Sequence, residues 1–123
     1  MIRINKMKCI IYHNRKCSKS RETLELLQNR GFDPTIIEYL KNSPKVDELE
    51  KIISKLKIHP KQLVRFKENK AKELGISAND SLTYKQWMKI LTKNPELIER
   101  PIVVTSKGAV IGRPPENVLK VLD

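Results

Sequence analysis

The sequence predicts an α/β protein: a mixed four-stranded sheet flanked by helices, in the order βαβ, a helical insertion, then ββα. Three observations lead there. An apolar run, a helix-forming run and a β-branched run follow one another within about 33 residues, the pattern of a βαβ unit with parallel strands. Helical spacing of apolar residues then dominates from about residue 43 to residue 99. Two short apolar strands around Lys107-Gly108 and a last amphipathic run close the chain. A length of 123 residues suits one domain, 1–123, with the insertion at about 43–99, and is enough for a hydrophobic core without disulfide or metal staples.

The elements follow in order. The first strand is expected at Lys8 to Tyr12 and the first helix at Ser18 to Asn29, stopped by Gly31. Asp33-Pro34 opens a second strand, Thr35 to Leu40. Ser43-Pro44 reads as a cap followed by a proline in the first helical turn, with Val46, Leu49, Ile52, Ile53 and Leu56 on one face. His59-Pro60 turns the chain into Leu63-Val64-Arg65, and a polar helix from Lys67 to Leu74 ends at Gly75. Thr83 and Gln86 have capping-box spacing ahead of Tyr84, Trp87, Met88 and Leu91. Asn94-Pro95 begins a helical turn through Glu99. After Arg100-Pro101, the strand Ile102 to Val104 forms a hairpin with Ala109 to Ile111. Gly112-Arg113-Pro114-Pro115 leads into a final helix with Pro115, Val118, Leu119 and Leu122 on one face. This is the plan of the thioredoxin-like fold with an insertion after the second strand. It sets Pro101 opposite the start of the first helix, where a cis bond fits.

The formal net charge of +11 points to anionic ligands. The lysines are interleaved with glutamates, as in Lys45-Val46-Asp47-Glu48-Leu49-Glu50-Lys51, so much of the charge reads as solvated surface. There is no aromatic-basic stripe for stacking bases, which argues against nucleic acid. No apolar run reaches the roughly 18 residues of a membrane span or the length of a signal-peptide core. Two cysteines make no disulfide framework, and a strand separates Cys9 from Cys17, whereas a disulfide needs Cα atoms within about 7 Å. The expectation is a soluble cytoplasmic protein. His13 and His59 lie far apart with no second ligand motif, so no metal is expected.

The chemistry concentrates at Ile11-Tyr12-His13-Asn14-Arg15-Lys16-Cys17-Ser18-Lys19-Ser20-Arg21. A strand, a short basic loop and a helix put Cys17 at a helix N-terminus. Free backbone N–H groups there favour thiolate over thiol, and the same groups attract oxyanions. Arg15, Lys16, Lys19 and Arg21 add positive charge. Cys17 is the candidate nucleophile. His13 is a candidate for a loop hydrogen bond or, protonated, for lowering the thiol pKa. Asn14, Ser18 and Ser20 are candidates to support the loop or the anion. Cys9 reads as a small core residue.

Four segments together resemble the glutaredoxin-dependent arsenate reductases, within a superfamily that also holds Spx-type regulators. They are Tyr12-His13-Asn14-x-x-Cys17-Ser18-x-Ser20-Arg21, Leu63-Val64-Arg65, Glu99-Arg100-Pro101-Ile102-Val103-Val104 and Gly112-Arg113-Pro114-Pro115-Glu116. The resemblance covers nearly the whole chain. It implies an arsenate reductase with Cys17 as the catalytic cysteine and with Arg65, Arg100 and Arg113 around the oxyanion. Arginine suits that role because its planar fork donates to two oxygens at once and stays charged. Pro101 would shape the site. The resemblance further implies no bound cofactor, glutathione as co-substrate and glutaredoxin as partner. One departure stands out: the family commonly has proline directly after His-Asn, and this chain has Arg15. Two rival readings share the fold. One is a thiol-redox protein with another substrate; the other is a Spx-like regulator that binds RNA polymerase, against which the missing CxxC motif counts.

Overall fold

The computed structural model describes residues 7–123. Among the described residues there are four strands: β1 (Cys9–His13), β2 (Thr35–Glu38), β3 (Ile102–Thr105) and β4 (Gly108–Ile111). Four α-helices accompany them: α1 (Ser18–Asn29), α2 (Val46–Leu56), α3 (Asn69–Leu74) and α4 (Tyr84–Lys93). Shorter 3₁₀ helices span Pro60–Leu63, Pro95–Leu97 and Pro115–Val121. The sheet order is β2-β1-β3-β4. β1 runs parallel to β2 and antiparallel to β3, and β3 is antiparallel to β4, so the predicted mixed sheet is present.

The chain divides into two compact units, one formed by residues up to Tyr39 with Arg100–Asp123 and the other by Leu40–Glu99. In the first unit, alternation along the strands sends Cys9, Ile11 and Val103 to one face, where they pack with Leu27, Phe32, Val118, Val121 and Leu122. Cys9 is 4% exposed, and burial pushes its thiol up to about 11. It is a small apolar filler, as its place in the strand predicts.

In the second unit, Leu49, Ile52 and Ile53 of α2 and Trp87, Met88 and Leu91 of α4 are buried. Trp87 meets Phe66 edge to face at 5.8 Å between ring centroids. The capping box at Thr83 and Gln86 is present as predicted. A second one joins His59 and Gln62, and the His59 ring packs edge-on against Tyr84 at 5.9 Å.

Several boundaries differ from the sequence expectation. β2 stops at Glu38 rather than Leu40. α2 begins at Val46 with Lys45 as its cap; the Ser43 hydroxyl instead donates to the Thr92 carbonyl oxygen at 3.2 Å. The last segment is a 3₁₀ helix. Its tighter repeat buries Pro115, Val118 and Val121 and leaves the expected core residue Leu119 40% exposed.

Candidate active site

β1 ends at His13 and α1 begins at Ser18, so the loop between them delivers Cys17 as the cap residue of a 12-residue helix. A tight turn makes this possible. The Cys17 N–H donates to the Asn14 carbonyl at 2.9 Å, and the Lys16 N–H donates to Asn14 Oδ1 at 3.0 Å. The Asn14 N–H donates to the hydroxyl of Ser20, which is fully buried, at 3.1 Å. Arg15 occupies the second position of this turn, which proline favours. Here three side chains hold the turn instead: Asn14, Ser20 and Arg21, whose Nη1 donates to the Arg15 carbonyl at 2.9 Å. Arg15 itself makes a 3.7 Å ion pair with Glu38 on β2. Ser18, the first residue of α1, is exposed.

The other side of the site comes from the ends of β3 and β4. Arg100-Pro101 precedes β3, Arg113-Pro114 follows β4, and both peptide bonds are cis. The first of these matches the sequence expectation; the second does not appear in it. Arg113 Nη2 lies 3.3 Å from Cys17 Sγ, and its Nε donates to the Arg100 carbonyl at 2.8 Å. Asn117, which sequence reasoning missed, donates from Nδ2 to the carbonyls of Ile111 and Arg113 at 3.2 and 3.0 Å. It thus holds the segment carrying Arg113 from both ends.

Electrostatics follow from this geometry. Burial raises the Cys17 pKa, but the backbone N–H groups of Ser20 and Lys19 and the Arg100 guanidinium oppose it. The net result is a thiol below its ordinary 9.0. His13 is 5% exposed with Nδ1 buried and without a hydrogen-bond partner. Burial lowers its pKa from 6.5, Glu38 raises it and Arg21 lowers it further. The net direction is down, so the ring is neutral at pH 7. The cations nearest the thiolate are therefore guanidinium groups rather than imidazolium.

The first unit thus brings together Cys17, Arg100 and Arg113, with Asn14 and Ser20 supporting the loop and Pro101 beside them. Arg65 belongs to the second unit. Its backbone N–H donates to the Leu97 carbonyl at 2.7 Å, beside a bridge between Val64 and Ile98. Its Nη1 meets Glu99 at 2.9 Å and its Nε meets Glu68 at 3.2 Å. Sequence reasoning missed both carboxylates.

The model of the ArsC family matches residues 12–121. An arsenate reductase of Haemophilus influenzae is 46% identical over 117 residues, covering 94% of this chain and 100% of the relative. An arsenate reductase of Escherichia coli is 45% identical, covering 91% of this chain and 79% of the relative. A protein of Escherichia coli called uncharacterized protein YfgD is 42% identical, covering 91% and 94% respectively. Among solved structures, an arsenate reductase from Vibrio cholerae matches with a TM-score of 0.90 at 45% identity, covering 96% of this chain and all of that one. With its family segments spread over both units and its cysteine at the start of α1, the chain belongs to the ArsC family.

Proposed function

We propose that this protein reduces arsenate to arsenite, with Cys17 as the nucleophile and an external thiol as electron donor. The observation that carries the reading is the Cys17 sulfur at a helix N-terminus, with Arg113 Nη2 at 3.3 Å and Arg100 lowering its pKa. The thiolate attacks arsenic and displaces an oxygen as water, giving a thiol–arsenate adduct. Arg100 and Arg113 hold the oxyanion. The other cysteine of the chain is buried Cys9, so the second sulfur comes from outside. Glutathione fits as that co-substrate. The two sulfurs then join as one mixed disulfide on Cys17, the S–As bond breaks with arsenic gaining two electrons, and arsenite leaves. Glutaredoxin releases the glutathione in the cytoplasm.

The test is a single turnover of reduced protein with arsenate and glutathione, followed by intact mass spectrometry and arsenite quantitation. The reading predicts one glutathione on Cys17 for each arsenite formed. Glutathionylation without arsenite points instead to a thiol-redox protein of this fold with another substrate.

A further inference from the structure

Gly112 lies between the end of β4 and Arg113. A Cβ placed there would stand 2.7 Å from Thr23 Oγ1, 2.9 Å from Pro101 Cγ and 3.1 Å from Thr23 Cγ2. Non-bonded carbon atoms do not approach a neighbour that closely, so the absence of a side chain is what lets the strand end lie against α1. Thr23 is fully buried. Its hydroxyl lies 2.8 Å from the Lys19 carbonyl, one turn earlier in α1, and 3.4 Å from the Gly112 carbonyl. The Gly112 N–H donates to the Pro101 carbonyl at 2.8 Å. Three segments therefore meet at one contact: α1, which starts at Cys17; the Arg100-Pro101 segment; and the segment that continues into Arg113.

We propose that Gly112 and Thr23 are positioning residues that set the separation between the Arg113 guanidinium and the Cys17 thiolate. Neither reaches the sulfur; both act through the backbones that carry its partners. Relieving a 2.7 Å clash at Gly112 moves either the backbone leading into Arg113 or the helix that presents Cys17. Either motion changes the 3.3 Å contact between Arg113 and Cys17. The Thr23 hydroxyl fixes the spacing from the helix side, since a methyl in its place would crowd the Lys19 carbonyl. The inference rests on Arg113 serving the thiolate. Its test reads the thiol directly and does not depend on arsenate being the substrate.

The experiment titrates Cys17 by thiolate absorbance and by the pH dependence of alkylation in wild type, Gly112→Ala, Thr23→Val and Thr23→Ser, with circular dichroism as the check on folding. Gly112→Ala is expected to raise the Cys17 pKa by about one unit, the scale of a weakened charge-assisted contact. Thr23→Val is expected to shift it in the same direction, and Thr23→Ser, which keeps the hydroxyl, to restore the wild-type titration. If Gly112→Ala does not fold, the two Thr23 variants decide. A folded Gly112→Ala with the wild-type thiol pKa, or a Thr23→Val that titrates like wild type, overturns the proposal.

Discussion

At the residue scale, the reactivity of Cys17 is a contest between burial, which favours the neutral thiol, and backbone N–H groups with Arg100, which favour the thiolate. The second group prevails. Alkylation of Cys17 should therefore rise with pH at a midpoint below the ordinary 9.0, and Arg100→Gln should move that midpoint up. Arg113→Ala removes the guanidinium 3.3 Å from the sulfur and should lower kcat/KM for arsenate by roughly 100-fold, the scale of losing one preorganised oxyanion donor. His13 works in the opposite pH range. Its folded pKa is lowered from 6.5, so the unfolded chain takes up the proton first. The stability held by the neutral ring is complete above 6.5 and is lost as pH falls through the folded value. Thermal unfolding from pH 7 down to pH 5 should show this loss, and His13→Gln should reduce it.

At the element scale, the loop from Asn14 to Cys17 decides where the thiol sits, and it is held by hydrogen bonds where a proline would otherwise fix φ. Arg15→Pro gives up only an exposed ion pair of 3.7 Å, worth about 0–1 kcal/mol. It restricts the unfolded chain by about 0.4–1 kcal/mol in return. Chemical denaturation should find Arg15→Pro at least as stable as wild type, with Cys17 reactivity retained. Leu27 of α1 is fully buried against the sheet, and Leu27→Ala should cost about 2–5 kcal/mol, read as a lower urea midpoint with an unchanged slope. Local patterns made these elements legible. The Ser18–Asn29 helix, the Thr83–Gln86 capping box and the hairpin at Lys107-Gly108 each depend on residues a few positions apart. Long-range choices were not legible. Ser43 resembles a cap but bonds Thr92, 49 residues away. The last segment has an acceptable helical stripe, yet packing against the sheet selects the 3₁₀ repeat that buries Val121 instead of Leu119.

At the scale of the whole molecule, a net charge of +11 favours the approach of anions over the entire surface. Surface attraction of this kind is screened beyond about 8 Å at physiological ionic strength. The kcat/KM for arsenate should therefore fall with added salt, while kcat at saturation changes little. The candidate site was legible in the motif that puts a cysteine at a helix start; Arg100 and Arg113, at the ends of β3 and β4, came from the family resemblance. It was illegible where contact depends on tertiary placement. Examples are the pairing of Arg65 with Glu99, 34 residues away, and the meeting of Thr23 with Gly112, 89 residues apart. The most direct test of the account is NADPH oxidation coupled through glutathione reductase, glutathione and glutaredoxin, with and without arsenate, for wild type and Cys17→Ser. The account predicts arsenate-dependent turnover in wild type and background in the variant. Equal arsenate-dependent turnover in Cys17→Ser, or none in a wild type whose Cys17 remains a low-pKa thiol, would contradict it.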